Sequence, residues 1–310
     1  MRALLVDRST PSGLRLGETA DPEPTPHQAL IRVIATSLNF GEVTHAISQA
    51  PDGTVLGWDA AGVVERAAAD GSGPAAGTPV LTLGDAGGWA EFRAVDTGLL
   101  GLAPADTDPG ALSTLPVTGT SALRALRRIG SLPGRRVLIT GATGGVGQYA
   151  VQLARLGGAH VIASTGAPDT HGDRLRALGA DEVVPGPEHA GALVDAVVDC
   201  VGGPQLVRAF ERLAPHGTLV AVGDVTLQPV RFPPGAFLGN DGRHGRSIVT
   251  FHLQDGPLPG PDLTWLADRL AAKDLVSQIS WRGSLNQVDE AIAAVLGRSL
   301  HGKAVLDLTA

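Results

Sequence analysis

The chain has 310 residues, 43% hydrophobic and 18% charged, with a net charge of −7; these are the proportions of a soluble protein long enough for two cores. The negative balance excludes a general nucleic-acid binder, and no terminal apolar run has the length of a membrane span or the layout of a signal peptide, so a cytoplasmic protein is expected. The single Cys200 excludes an internal disulfide framework and a cysteine-cluster zinc site.

In chain order, Met1-Arg-Ala-Leu-Leu-Val6 reads as a first strand, and short β-like runs follow at 29–35, 60–65, 79–82 and 90–95, punctuated by Gly and Pro. From about Pro116 the texture changes to strands at 135–140, 159–164, 196–200 and 218–222 with helices between them, the alternation of a doubly wound parallel sheet. Residues 227–245, with Pro229, Pro233 and Pro234, are too irregular for a helix or central strand and predict a loop over the cofactor cleft. The tail predicts helices at 263–273 and 286–296 and a last strand at 303–308, which returns to complete the first domain. The expected domains are 1–113 completed by 256–310, and 114–255. Lysine occurs only at Lys273 and Lys303 among many arginines, a bias of GC-rich bacterial coding.

Val137-Leu-Ile-Thr-Gly-Ala-Thr-Gly-Gly-Val-Gly-Gln-Tyr149 is the sharpest motif. A short apolar run suits a parallel strand buried on both faces, and Gly141, Gly144 and Gly147 follow at three-residue spacing. Such glycines permit a tight turn, backbone approach to a pyrophosphate and close helix–strand packing, while the helix N-terminus offers N–H groups to the anion. Helix formers from Gln148 and a second strand, Ala159-His-Val-Ile-Ala163, complete a β-α-β unit. Gly141, Thr143, Gly144, Gly145, Val146 and Gly147 are therefore the expected cofactor loop.

A carboxylate at the end of the second strand would favour a ribose hydroxyl and repel a 2′-phosphate. This strand ends Ser164-Thr165-Gly166, with no acid before Asp169, while His171, Arg174 or Arg243 can supply positive charge. NADPH is preferred to NADH on this ground. Arg174 can equally be a solvated helix residue.

Matches in order along the whole length resemble the zinc-free medium-chain dehydrogenases/reductases of the quinone oxidoreductase (zeta-crystallin-like) and enoyl reductase group. They are Ser37-Leu-Asn-Phe-Gly-Glu-Val43, Gly57-Trp-Asp-Ala-Ala-Gly-Val-Val64, Gly119-Thr-Ser-Ala122, the glycine loop, Leu178-Gly-Ala-Asp181, Val198-Asp-Cys-Val-Gly202 and Gly302-Lys-Ala-Val-Leu-Asp307. The resemblance implies an α/β fold: a GroES-like β-rich catalytic domain plus a Rossmann doubly wound parallel-sheet cofactor domain. The rival short-chain dehydrogenases begin with the glycine motif and use a Tyr-x-x-x-Lys pair, whereas here the only tyrosine is Tyr149 and Leu153 lies four residues on.

The family's first cysteine zinc ligand would fall near Asn39, and His45 and Asp59 alone make a poor metal site, so no metal is expected. The implied chemistry is hydride delivery to an enone or enoyl (thio)ester, in keeping with secondary metabolism, or to a quinone. A binding or regulatory protein with little turnover stays open as an alternative. By resemblance Asn39 lies beside the nicotinamide ribose or the acceptor carbonyl, with an amide able to donate to an oxygen, and Glu42 replaces the family's aspartate. Asn39 can also be read as a turn-stabilising residue and Glu42 as a solvated helix-start carboxylate. Thr44 stands where many relatives carry a substrate-reaching tyrosine, leaving the proton to a water or a ribose hydroxyl.

Phe40, Thr44, His45, Trp58 and Phe251 are the expected acceptor-pocket residues, with Trp89 as a further aromatic. Cys200, Gly223 with Asp224, and Arg298 are expected near the cofactor, Arg298 doubling as a helix C-terminal cation. A homodimer acting on a small-molecule substrate completes what the resemblance implies.

Overall fold

A computed structural model describes residues 1–308. The chain divides into two compact units, Met1–Thr120 with Gly256–Ala310, and Ser121–Asp255.

The first unit is built on a seven-stranded sheet. Its strands run Ile279–Ser284, Lys303–Asp307, Gln28–Leu38, Asp59–Arg66, Pro79–Leu83 and Leu100–Leu102, with Phe92–Asp96 also paired to Gln28–Leu38. The closing strand lies antiparallel to Gln28–Leu38, with Ala304 opposite Leu38 and Leu306 opposite Thr36. The tail thus returns to the first unit, where its apolar residues join one core: Leu4, Val33, Leu38, Leu56 and Trp89 pack with Leu285, Ile292 and Leu306. Each such side chain contributes on the order of 1.5–3 kcal/mol by leaving water. Trp89 is fully buried there as a core residue, the place a lone aromatic most often takes. Between Leu38 and Asp59 the chain departs from β structure: Glu42–Ala46 is one π-helical turn running into the α-helical turn Ile47–Gln49.

The second unit is a six-stranded parallel sheet in the order Glu182–Val184, His160–Ser164, Arg136–Ile139, Val194–Asp199, Leu213–Ala221, Ser247–Thr250. Its central strands are apolar on both faces because helices cover both; Val137, Leu138, Ile139, Val197 and Val198 have no exposed surface. Helix Gly203–Glu211 packs through Leu206, Ala209 and Phe210 against Leu138, Val197 and Leu219. The edge strand Ser247–Thr250 is absent from the sequence expectation, since its alternation of half-buried and exposed residues leaves a weak apolar signal. Residues 227–245 contain no helix or strand.

Candidate functional site

In the second unit strand Arg136–Ile139 ends at Thr140, and the chain turns through Gly141 in the left-handed region (φ +59°) before helix Gly145–Leu156 starts. A Cβ on Gly147 would collide with the carbonyl oxygen of Gly141 and approach Ala142 Cα at 2.8 Å, so only glycine lets the helix sit this close to the strand end. The N-cap is Gly144, with no side chain capping the first turn. The opening amides at Gly145, Val146 and Gly147 therefore belong to a helix start with no internal anion, the form a dinucleotide pyrophosphate fits.

Beneath this turn Asp199, fully buried, ties three segments together. Thr140 Oγ1 donates to Asp199 Oδ1 at 2.5 Å, the Gly202 amide donates to Oδ2 at 3.0 Å, and the Cys200 amide donates to Thr140 Oγ1 at 3.0 Å. The amides of Val222 and Gly223 donate to the Asp199 carbonyl oxygen at 2.8 and 3.2 Å. Burial raises the Asp199 carboxyl above the ordinary carboxylate value. Burial also pushes the Cys200 thiol up, with the Asp199 carboxylate adding to it, so Cys200 offers bulk and backbone at the sheet's carboxyl edge rather than a thiolate. Asp224 there is exposed and accepts from Thr226 Oγ1 and the Leu227 amide, which makes it a turn residue.

Ser164 and Thr165 end the second strand at the same carboxyl edge and are both buried, and the Ala142 amide donates to the Ser164 carbonyl oxygen. Arg174, on helix Pro168–Ala177, donates to Gln148 Oε1 at 3.2 Å, and Gln148 in turn donates to the Thr143 carbonyl oxygen. The guanidinium is thus anchored to the first turn behind the glycine loop. His171 lies half-buried one turn earlier on the same helix. Arg243 precedes strand Ser247–Thr250, so it stands at the amino edge of the parallel sheet, four strands from Ser164. At about 4.8 Å per strand that distance removes Arg243 from any phosphate group bound near Ser164.

In the first unit the end of strand Gln28–Leu38 delivers Asn39 into a buried polar cluster. The Asn39 backbone N–H and its Nδ2 both donate to Glu42 Oε2, at 2.9 and 2.8 Å. This closes the turn from which the π-helical segment starts. Nδ2 also donates to Asp59 Oδ2 at 2.8 Å, and Lys303 Nζ donates to Asn39 Oδ1 at 2.5 Å and to Asp59 Oδ2 at 3.2 Å. The Trp58 amide donates to Glu42 Oε1 at 2.6 Å, the Val117 amide to Asp59 Oδ1 at 2.7 Å, and Ser37 Oγ to Asp59 Oδ2 at 2.8 Å. Glu42 and Asp59 have no exposed surface, and Lys303 and Asn39 keep 4% and 6%. Burial, reinforced by the Asp59 charge, raises Glu42 to about 7, against the opposing bond from the Trp58 amide and the charge of Lys303. Arg93, beside them, is pulled down to about 10 by burial, with Asp59 and Glu42 opposing, and spends its donors on Thr82 Oγ1 and the carbonyl oxygens of Gly57, Trp58 and Ala86. Two buried carboxylates thus sit with two buried cations.

Residues 25–105 match the alcohol dehydrogenase GroES-like domain family, and residues 145–255 match the family described as zinc-binding dehydrogenase. A chloroplastic quinone-oxidoreductase of Triphysaria versicolor is 30% identical over 320 residues, covering 96% of this chain and 94% of that protein. The chain belongs to the medium-chain dehydrogenase/reductase superfamily, in its quinone oxidoreductase group. Among solved structures similar to this medium-chain dehydrogenase/reductase superfamily member are two further relatives. One is the quinone oxidoreductase of Thermus thermophilus, described also as its complex with NADPH, at 28% identity and TM-score 0.84 over 99% of this chain and 100% of that one. The other is a 2-haloacrylate reductase, at 25% identity and TM-score 0.85 over 100% of both chains.

The superfamily implies zinc in some members, but the donors in this chain do not fit it. Every carboxylate oxygen of Glu42 and Asp59 already accepts from an N–H or O–H, an ammonium lies against Asp59, and Asn39 brings a neutral amide. Among the described residues no group of three or more His, Cys, Asp or Glu is assembled to hold a metal.

The remaining expected residues fall in different places. Phe40 and Trp58 are half-buried, with the Trp58 ring against Gly41, where a Cβ would lie 3.1 Å away. Thr44 donates to the Phe40 carbonyl oxygen at 2.7 Å, which occupies its hydroxyl within its own turn. His45 is exposed on the π-helical turn. Phe251 follows the last parallel strand, in the second unit. Arg298 lies just past the C-cap Gly297 of helix Val288–Leu296, with a left-handed backbone (φ +52°). Sequence reasoning missed Lys303 and the roles of Asp59, Ser37, Thr140 and Asp199. Lys303 carried a signal: it is one of two lysines in an arginine-using chain, opening a strand whose next three residues are apolar.

Proposed function

We propose that this chain is an NADPH-dependent, metal-independent reductase that delivers hydride to the activated C=C of an enone or enoyl (thio)ester in secondary metabolism. The observation that carries the reading is the charge balance in the first unit. Asp59 is ion-paired with Lys303, Arg93 lies beside both acidic groups, and every side-chain oxygen of Glu42 and Asp59 already accepts a hydrogen bond, which leaves no open ligand set for a Lewis acid, so the acceptor has to be electrophilic by its own conjugation. Likeness to a 2-haloacrylate reductase supports a conjugated alkene. Likeness to quinone oxidoreductases supports the second reading, a quinone.

For the cofactor, the support is the hydroxyl-ended second strand with Arg174 anchored behind the glycine loop, together with the NADPH complex of the Thermus relative. Bound there, the reduced nicotinamide supplies the hydride. The loop amides of residues 145–147 would hold the pyrophosphate, Ser164, Thr165 and Arg174 would take the 2′-phosphate, and the Thr140–Asp199 bond keeps the loop in register. With Thr44 bonded to its own turn, the proton for the second carbon comes from water or a ribose hydroxyl. The reading includes a homodimer acting on a small molecule, carried over from family likeness, and a cytoplasmic location, which is the expectation from the sequence.

The test follows loss of reduced-nicotinamide absorbance with NADPH and NADH against enones, enoyl thioesters and 1,4-quinones, with and without a chelator. Chelator-resistant, NADPH-preferring turnover of the alkene acceptors is expected. Turnover confined to quinones transfers the assignment to the second reading. Tight NADPH binding without turnover of any acceptor defeats the enzyme assignment and favours a binding or regulatory role.

A further inference from the structure

An asparagine side chain has two N–H donors and a carbonyl oxygen with two lone pairs. At Asn39 both donors are taken, by Glu42 Oε2 and Asp59 Oδ2, and one lone pair is taken by Lys303. We infer that Lys303 is a positioning residue that fixes the polarity of Asn39, so that this side chain meets a bound ligand as a hydrogen-bond acceptor for a hydroxyl or N–H group and not as a donor to a developing oxyanion.

The geometry leaves one orientation of the amide. Turning it over would place the carbonyl oxygen against two carboxylates and the NH2 group against an ammonium, reversing three favourable contacts in a nearly buried site. The carboxylates alone would attract the NH2 group. Lys303 adds the opposing contact at the carbonyl and the positive charge that makes two buried carboxylates tolerable. The strand carrying it supports that role: Lys303 is the first residue of Lys303–Asp307, whose next residue, Ala304, pairs with Leu38, immediately before Asn39. The charged groups facing the amide are Glu42 on its own turn, Asp59 from strand Asp59–Arg66 and Lys303 from the closing strand, with Arg93 near the two carboxylates. The only uncommitted valence of the side chain is the second lone pair of Oδ1. The catalytic consequence rests on the reductase reading; the polarity of Asn39 does not.

The test compares the full chain with Lys303→Arg, Lys303→Gln and Lys303→Met, using the exposed Lys273→Met as a control. Nitrogen-15 NMR follows exchange of the Asn39 side-chain NH2 with water, and steady-state kinetics with NADPH follow kcat and KM. In the wild type, Lys303→Arg and Lys273→Met the Asn39 NH2 group is expected to exchange slowly. In Lys303→Met it is expected to exchange at least about tenfold faster, with kcat/KM lower by about ten- to a hundredfold and largely restored in Lys303→Arg. If Lys303→Met does not fold, Lys303→Gln, which keeps an N–H donor without the charge, is expected to retain the slow exchange. An Asn39 NH2 signal unchanged in folded Lys303→Met, or lost in Lys303→Gln, overturns the inference. If even the wild type turns over no acceptor, the reductase reading fails while the NMR comparison still decides the role of Lys303.

Discussion

Lys303 donates to the side-chain oxygen of Asn39 at 2.5 Å across 264 positions of sequence, and both residues are buried. The bond joins the closing strand to the start of the π-helical turn and brings Asp59 and Glu42 into one network. A long-range contact of this kind makes the residues between 38 and 59 depend on the arrival of the tail. Removing one partner of a buried ion pair typically costs about 3–5 kcal/mol.

Glu42 gives the chain a pH-dependent stability of definite sign. Burial raises its carboxyl from 4.5 to about 7 in the folded chain, so between those values the folded state holds a proton that the unfolded state has released. Stability contributed by this group is therefore full below about 4.5 and is lost as the pH rises through about 7. Urea unfolding of Glu42→Gln and wild type across that window is expected to show the wild type losing up to roughly 1.4 kcal/mol per pH unit relative to the variant. Parallel profiles would disprove the shift.

Two glycines of the cofactor loop are expected to fail differently. A methyl on Gly147 meets the Gly141 carbonyl, so Gly147→Ala should displace the loop, costing about 1–3 kcal/mol of stability and weakening dinucleotide binding together. A methyl on Gly144 lies 3.3 Å from the same oxygen with nothing else near, so Gly144→Ala should leave the melting temperature nearly unchanged and weaken binding by intruding on the anion. Thermal melts paired with NADPH fluorescence titrations separate the two.

Arg174→Ala is expected to raise the Kd for NADPH about tenfold while leaving NADH unchanged, because a charge-assisted bond to phosphate contributes about 1.5–3 kcal/mol. Arg243→Ala, at the opposite edge of the sheet, should change neither. Equal losses for both cofactors in Arg174→Ala would place the arginine on the loop and not on the 2′-phosphate.

Thr140→Val keeps the shape of the strand end but strips a donor from Asp199 and an acceptor from the Cys200 amide. A loss of about 1–3 kcal/mol is expected, with amide exchange speeding up at both Gly202 and Cys200. Unchanged protection there would show that backbone pairing alone holds the three segments.

The two units differ in how far their sequences alone decide them. Around Val137 to Ala163 each step is local: an apolar run, glycines at three-residue spacing and helix formers specify strand, turn and helix within a few dozen residues, so the glycine turn and the parallel sheet could be read directly. Asn39 and Glu42 could be singled out for the same reason, since they lie three residues apart in one short motif. Their meaning could not, because hydrogen-bond polarity depends on partners brought by other strands: Asp59 from the neighbouring strand and Lys303 from the last one. Asp59 reads in sequence as half of a poor metal site and Lys303 as one of two lysines among many arginines. Only antiparallel pairing of the closing strand with Gln28–Leu38 places the ammonium on the Asn39 carbonyl, and excluding water there makes each charge depend on the others.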